Sequence, residues 1–489
     1  MKDEKIEKIE LKNDRLNFFR FKNIKDKVLM TNDFGNYSFL TKEEFRNLLE
    51  GKMGDSEPKM KELKDRGFIK TDLNVDKALT LYRKRNASIF YGPFLHIMVM
   101  TLRCNYKCVY CQASAVDMNT NKYDMTIDDA KKTVDFIFTT PSPVITIEFQ
   151  GGEPLVNWPA VKFVTEYTRQ KEKETGKKAF LALVSNLSLM DEEKFKFFMD
   201  NGVGLCTSLD GPEELHNMNR PYPGQNSYKE TVKWIERIKD WEKEKAKEGI
   251  DIYLLSALLT VSRRSLKFYK EIIDEYLKHG FNGIHLRSLS NLGYSATAKN
   301  TIGYSTEEFL DFWKKSLDYI IDINKSGTYF MERGSQIILK KIIKAMDPGY
   351  VDLKSPCGAV IDQVLYNYDG KIFTCDEGRM CGGDTFQIGK ISGENSTKKY
   401  NDLAEGDKVK TMVVASTLDN TSCDNCAYKP YCGICPIVNY METGSMTPQI
   451  QNTSWCKRHK AMIDYLFEKL QDPEIYEIFK SWTEDARTD

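Results

Sequence analysis

Between Leu95 and about Ser290, short apolar runs alternate with longer stretches of helical period. Leu95 to Leu102, Val144 to Gln150, Ala179 to Ser185, Val203 to Leu209, Ile252 to Thr260 and Gly283 to Leu289 predict strands. Thr126 to Phe138 and Ser227 to Glu248 carry apolar side chains at helical spacing, and Thr126 with Asp129 predicts a capping pair. Six βα units in succession imply parallel strands with helices outside, since parallel strands need crossovers. Either a doubly wound sheet or an incomplete barrel satisfies this pattern. In both, the mouth at the strands' C-terminal ends carries the chemistry.

The first 90 residues have another rhythm. Phe18 to Phe21, Val28 to Thr31 and Tyr37 to Leu40 predict strands, with Asp33, Gly35 and Asn36 at a turn. Thr41 and Glu44 have capping-box spacing and Leu40 and Phe45 staple spacing, so a helix is expected from Thr41. A second, Pro58 to Arg66, is stopped by Gly67, and Phe68 to Lys70 reads as a closing strand. This order suggests a winged-helix-like fold. Further helices are expected over Thr306 to Asn324, near Ile337 to Met346, and over Lys457 to Trp482 with a break at Pro473.

A chain of 489 residues exceeds one ordinary domain. The pattern divides it at 1–90, 91–300, 301–350, 351–460 and 461–489. Lysine plus arginine and aspartate plus glutamate both total 71, so no net positive field favours nucleic acid. The 41% apolar residues can bury a substantial core, but no run approaches the roughly 20 needed to span a membrane. Met1 to Arg15 is charged where a secretory signal is apolar, so the cytoplasm is the expected compartment and no membrane partner is expected.

Twelve cysteines in a reducing compartment point to metal or redox chemistry rather than disulfides. Cys104, Cys108 and Cys111 follow the first predicted strand with gaps of three and two residues. A structural zinc takes four protein ligands, whereas an iron-sulfur cube held at three corners keeps one iron free. After the second strand stand Gly151-Gly152-Glu153-Pro154; paired glycines allow close backbone approach, and Glu153 offers a carboxylate for an α-ammonium group. Ser185-Asn186 follows the third strand. Ser208-Leu209-Asp210-Gly211-Pro212 follows the fourth, with His216 and Arg220 beyond. Serine and asparagine here serve equally as turn residues, Asp210 as a proton acceptor or a turn partner, and Arg220 as a carboxylate clamp or an ion pair. Cys206, within a predicted strand, is expected to be a buried apolar residue.

The triplet with Tyr110 before its last cysteine resembles the signature of the radical SAM superfamily, and Gly151 to Pro154 resembles that family's methionine-binding motif. The resemblance implies a partial (β/α)6 TIM barrel in which Cys104, Cys108 and Cys111 hold a 4Fe-4S cluster whose unique iron is chelated by S-adenosylmethionine (SAM). It also places Tyr110, Ser185, Asn186, Ser208 and Arg220 near the cofactor and Asp210 near the substrate. The later pattern Cys357, Cys375, Cys423-x2-Cys426-x5-Cys432-x2-Cys435 and Cys456 resembles the SPASM domain, which carries auxiliary 4Fe-4S clusters. That domain usually has three residues where this chain has two between Cys432 and Cys435. By resemblance, Cys423, Cys426, Cys432 and Cys456 hold one auxiliary cluster and Cys357, Cys375 and Cys435 the other. Cys381 is the candidate fourth ligand there, or else an open iron accepts a substrate thiolate. Three clusters in all are implied.

Members of this combined family act on peptides or proteins. The amino-terminal module resembles the element by which peptide maturases grip a leader sequence, often by strand addition, here expected at an edge near Val28 to Thr31 or at the adjacent helix. Phe18 to Phe21, Thr31 to Asp33, Glu148 to Pro154, Ser208 to Pro212 and Tyr366 to Gly370 together resemble the His-Xaa-Ser-system maturases. The auxiliary cysteines retained here point to thioether-forming relatives. The implied reaction is hydrogen abstraction from a ribosomally made precursor peptide, with electrons from a donor such as flavodoxin or ferredoxin. Carbon-carbon or carbon-oxygen crosslinking, epimerisation, sulfatase-type oxidation of a protein cysteine or serine, and a non-catalytic metal scaffold are the alternatives.

Overall fold

The computed structural model describes residues 11–484 except 251, 253, 254, 394, 395, 420 and 421. The charged opening residues 1–10, positions 253 and 254 of the strand expected from Ile252, and the tail's residues 485–489 lie outside the described residues. The amino-terminal sheet has the order β1 (Arg20–Ile24), β2 (Lys27–Thr31), β3 (Tyr37–Thr41), all antiparallel. Helix Lys42–Leu49 starts from the expected capping box: the Glu44 N–H donates to Thr41 Oγ1 at 3.1 Å and the Thr41 N–H to Glu44 Oε2 at 2.7 Å. Leu40 and Phe45 bury together in this module's core.

Two expectations change here. Phe68 to Lys70 forms no strand in the sheet: Ile69 makes a single bridge to Leu16, and a 3-10 turn follows over Lys70–Asp72. Only Phe68 and Ile69 are apolar enough to bury, too short a run to carry a ladder. Val28 to Thr31 belongs to the central strand and is no exposed edge, because four consecutive buried residues need cover on both faces. A helix over Val75–Asn86, unanticipated from the sequence, completes the module.

Among the described residues the large sheet has nine strands. β4 (Leu95–Thr101), β5 (Val144–Gly151), β6 (Lys178–Val184), β7 (Val203–Ser208) and β8 (Leu255–Thr260) lie side by side and parallel, in chain order. The expected strand Gly283 to Leu289 splits into β9 (Gly283–Ile284) and β10 (Leu286–Arg287); β10 pairs with β8, while β9 pairs with β11 (Met331–Glu332). A doubly wound sheet reverses strand order at a switch point, and β4 to β10 never do, so this is an incomplete barrel. Beyond β4 the sheet continues through β12 (Gln363–Tyr366), parallel to β4, then the antiparallel β13 (Lys371–Phe373) and β14 (Gln387–Lys390). The segment between Cys357 and Lys390 thus extends the barrel's own sheet.

Alternation sets the two faces of the barrel wall. Ile145, Ile147, Phe149, Ala179, Leu181, Leu183, Val203 and Leu205 bury outward against the helices. Each such aliphatic or aromatic burial contributes roughly 1.5–3 kcal/mol. Glu148, Gln150 and Cys206 occupy the alternate positions and stay partly exposed to the lumen. Cys206 is therefore a lumen residue facing Ser256, Glu148 and Arg287, not a buried apolar one.

The amino-terminal module is clamped to the later cysteine-rich segment. Arg20, its side chain 2% exposed, pairs with Asp33 at 2.7 Å and Asp424 at 3.4 Å. Thr31 Oγ1 donates to the Ala427 carbonyl at 2.8 Å, and Tyr431 Oη to that of Gly35 at 3.2 Å. The tail helices run over Ser454–Lys469 and Pro473–Glu484, with Pro473 at the break as expected. Among the described residues no helix is long and apolar enough to cross a membrane.

Candidate active site

The loop after β4 is fixed by its own backbone. The Cys104 N–H donates to Val116 O at 3.0 Å, Lys107 N–H to Pro221 O at 2.8 Å, Val109 N–H to Asn219 O at 2.9 Å and Cys111 N–H to Cys108 O at 3.1 Å. This brings Cys104, Cys108 and Cys111 onto the wall of a cavity of about 420 Å³ at the barrel mouth, shared with Tyr110, Gly151, Gly152 and Arg220. Burial pushes the Cys108 thiol up to about 12 and raises Cys104 well above its ordinary value, and neighbouring thiols add to both. Thiols so placed ionise only beside a cation, so the donor set fits an iron-sulfur cluster.

Gly151 and Gly152 are required where they stand. A Cβ on Gly151, at φ +140°, would overlap the Thr101 carbonyl oxygen, and one on Gly152 would overlap that of Arg103. These glycines let the chain after β5 cross the end of β4 closely. Pro154 opens the short 3-10 turn Pro154–Asn157.

Glu153 is held by its neighbours. It is fully buried, with Oε1 accepting from the Leu155 N–H at 3.0 Å and the Ser185 hydroxyl at 2.8 Å, and Oε2 accepting from the Asn186 N–H at 2.8 Å. Burial raises its carboxyl to about 7 against the lowering effect of these donors. It joins the end of β5 to the end of β6 through these hydrogen bonds. Ser185 and Asn186 share that network: Ser185 Oγ also accepts from the Leu187 N–H at 2.9 Å, and the Asn186 amide donates to Asn105 Oδ1 at 3.0 Å. Ser208 ends β7 at the mouth.

Asp210 is likewise a structural carboxylate. It is fully buried; Arg220 Nε donates to its Oδ1 at 3.1 Å and the Tyr110 hydroxyl to its Oδ2. Each oxygen thus accepts one hydrogen bond. The pair holds the Arg220 guanidinium over the Tyr110 ring at 5.3 Å and facing Cys108. His216 is buried beneath, its Nδ1 accepting from the Asp210 N–H at 3.4 Å.

A second cavity, of about 140 Å³, shares Gln112 and Thr260 with the first. It reaches Arg287, Tyr350, Asp352, Glu377, Cys435 and Trp455. Arg287, Asp352, Glu377 and the lumen-facing Glu148 were missed in the sequence. An arginine inside an apolar strand, and Glu148 and Gln150 two apart on β5, were the available signals. Arg379 was missed too: its Nη2 donates to Ala113 O at 3.1 Å, just beyond the first cysteine loop.

The later cysteines fall into two sets. Cys423, Cys426, Cys432 and Cys456 line one small apolar cavity with Leu418, Ile434 and Ile450. Burial pushes Cys432 up to about 12, and the other three thiols of that set raise it further. Cys357, Cys375 and Cys435 face one another, buried. Cys381 does not join them. It lies six residues from Cys375, about 9 Å along a helix, with Sγ 3.1 Å from Met441 Sδ. Five helical residues, Asp376–Met380, hold the two cysteines at opposite ends.

Residues 98–243 match the radical SAM superfamily. The chain carries a radical SAM domain. Such a domain binds a 4Fe-4S cluster and SAM, and the chain is an enzyme. It is 22% identical over 377 residues to the cysteine-type anaerobic sulfatase-maturating enzyme of Clostridium perfringens, covering 75% of this chain and 94% of that one. It is 22% identical over 478 residues to the radical SAM cyclopropyl synthase TigE of Paramaledivibacter caminithermalis, covering 94% and 90%. Among solved structures, native anSMEcpe with bound AdoMet and Cp18Cys peptide superposes with TM-score 0.64 at 19% identity, covering 80% of this chain and 100% of that chain. Streptococcus suis SuiB bound to precursor peptide SuiA gives 0.52 at 13%, covering 88% and 96%. These superpositions bear on the fold, and they agree with the partial barrel.

Proposed function

We propose that this radical SAM enzyme is a peptide maturase that forms a thioether between a cysteine sulfur and a peptide carbon. The observation that carries this reading is the pair of cavities sharing Gln112 and Thr260, one lined by Cys104, Cys108 and Cys111, the other by Cys435. A peptide segment spanning them presents a carbon at one end and a sulfur at the other.

In this reading Cys104, Cys108 and Cys111 hold the first cluster, Gly151 and Gly152 shape the SAM cavity, and Arg220 contributes positive charge beside Cys108. SAM, when bound and reductively cleaved, supplies the radical that abstracts hydrogen. Making C–S from C–H and S–H removes two hydrogens: one would leave as a hydrogen atom taken by the SAM-derived radical, the other as a proton and an electron. The thiol proton therefore needs a base and the electron an oxidant, which an auxiliary cluster would supply. Asp352 and Glu377 line the sulfur end. Burial, then the neighbouring Asp376, raises the Asp352 carboxyl, which suits it to take up a proton near neutrality. Half-buried Tyr350 and buried Trp455 help exclude water from that end. Cys423, Cys426, Cys432 and Cys456, and separately Cys357, Cys375 and Cys435, are the residues that would hold auxiliary clusters.

The substrate proposed is a ribosomally made precursor peptide, as SuiB's is named a precursor peptide. Its leader would pair with an edge of the amino-terminal sheet. β1 is the freer edge, since Lys59 Nζ and Arg66 already donate to the Phe39 and Tyr37 carbonyls of β3. A second reading, carbon-carbon bond formation, is favoured by the TigE match spanning 94% of this chain against 75% for the sulfatase-maturating relative. Coexpression with a neighbouring small open reading frame, followed by alkylation and mass spectrometry, separates the readings. Loss of two hydrogens with a cysteine protected from alkylation supports the thioether. The same loss with all cysteines alkylated supports the carbon-carbon product, and loss of the sulfur itself points to sulfatase-type oxidation.

A further inference from the structure

The buried thiols Cys357, Cys375 and Cys435 form a three-cysteine set once Cys381 is placed with Met441. Two carboxylates stand within the set. Cys375 Sγ and one oxygen each of Asp376 and Glu377 lie within 4.8 Å of one another. Cys375 caps the helix Asp376–Met380, and its Sγ accepts from the Gly378 N–H at 3.4 Å. The sulfur is thereby folded over the helix's first turn, where Glu377 begins.

The two carboxylates differ in what they face. Glu377 is near enough to all three thiols for its charge to raise Cys357, Cys375 and Cys435, and its side chain hydrogen-bonds that of Asp376. The Asp376 charge raises Cys375, and that of Asp352 raises Cys357 and Cys435. Glu377 also lines the cavity that Cys435 lines, so its carboxylate sits on the side from which the cavity opens. Iron accepts carboxylate oxygen as well as thiolate sulfur.

We propose that Glu377 is the fourth protein ligand of the auxiliary iron-sulfur cluster on Cys357, Cys375 and Cys435, taking the place otherwise assigned to Cys381 or to an open iron. The inference rests on the reading that this cysteine set holds a cluster. The flanking Gly378 supports the placement: a Cβ there would overlap Thr374 Oγ1 and stand 3.7 Å from Cys375 Sγ, so the helix start is packed closely against the sulfur.

The test uses the full chain with Cys104, Cys108 and Cys111 replaced by alanine, so that only the later cysteines retain iron. Iron and sulfide are counted, and Mössbauer and electron paramagnetic resonance spectra recorded, for this protein and for added Glu377→Ala, Glu377→Cys and Cys381→Ala. The expected result is loss of one iron and a three-iron signal in Glu377→Ala, a four-iron cluster with an altered unique-site Mössbauer component in Glu377→Cys, and no change in Cys381→Ala. An unchanged iron count and spectrum in Glu377→Ala, or the one-iron loss in Cys381→Ala instead, overturns the assignment. Should Glu377→Ala lose all iron through misfolding, Glu377→Cys decides: a four-iron cluster with an altered unique-site Mössbauer component supports ligation, and an identical spectrum overturns it. If the parent protein retains no iron at this cysteine set, the underlying reading fails and the assignment with it.

Discussion

Arg379 donates to the carbonyl oxygen of Ala113 at 3.1 Å, tying the helix that starts at Cys375 to the loop that carries Cys111. Burial lowers the Arg379 guanidinium's pKa, while Asp376 and Cys111 on either side favour its charge. The side chain therefore stands between the two proposed cluster sites. A charged hydrogen bond of this kind contributes about 1.5–3 kcal/mol. Arg379→Met is expected to leave the iron count unchanged and to lower product formation about tenfold or more, with more 5'-deoxyadenosine released per crosslink. Parallel chromatography of nucleoside and peptide measures that ratio; an unaltered ratio excludes the coupling.

Asp210 and Arg220 are expected to behave as a structural pair. Removing one partner of a buried ion pair typically costs about 3–5 kcal/mol because the other charge is left uncompensated. Asp210→Ala should lower the denaturant midpoint sharply. Asp210→Asn should retain part of the stability and show the same pH dependence of SAM cleavage as the native chain. A shifted pH profile in Asp210→Asn would return the residue to a proton-transfer role.

The sequence made the barrel legible because parallel strands are short apolar runs and their crossovers have helical period; boundaries at β4 to β7 fell within a residue or two. The cysteine triplet was legible because its ligands are neighbours in the chain. The sheet edge and the lumen were not. β12 joins β4 across more than 260 residues, and Leu95 pairs with Gln363 through contacts that no local pattern encodes. The hydrogen bonds that hold Glu153 and Asp210 were not legible, since their partners Ser185, Asn186, Arg220 and Tyr110 come from other parts of the chain. Cys381 lies near Cys375 in the chain, but the helix Asp376–Met380 and the contact with Met441 that set it apart from the other thiols are tertiary features.

Glu153 gives stability a pH dependence of definite sign. Its folded carboxyl is raised to about 7, above the ordinary value of 4.5, because burial outweighs its hydrogen bonds. The folded state therefore holds a proton that the unfolded chain releases between those values, so the contribution is full below about 4.5 and is lost as pH rises toward 7. A shift of this size corresponds to on the order of 3 kcal/mol. Over pH 5.5 to 7.5 the native protein should lose stability with rising pH, and Glu153→Gln should flatten that slope. Because a glutamine amide opposes one of the donor groups at Leu155, Ser185 or Asn186, the variant should also be weaker throughout by about 1–3 kcal/mol. Anaerobic denaturant titrations across this range measure both effects, and a slope that persists in Glu153→Gln assigns it to another group.

Gly152 and Gly176 form a matched contrast. A Cβ on Gly152 would overlap the carbonyl oxygens of Leu102 and Arg103, backbone atoms that cannot rotate aside, whereas one on Gly176 meets nothing within 4 Å. Gly176 closes the helix Trp158–Thr175 in the left-handed region at φ +73°, so alanine there adds only conformational strain of about 1–2 kcal/mol. Gly152→Ala must instead push the chain after β5 away from the cysteine loop. SAM binding by equilibrium dialysis is expected to weaken at least tenfold in Gly152→Ala with the first cluster still present, and to be unchanged in Gly176→Ala, whose cost shows only in the melting temperature. Equal SAM affinity in the two variants would mean that the close approach of the Gly152 backbone to Arg103 does not shape the cofactor cavity.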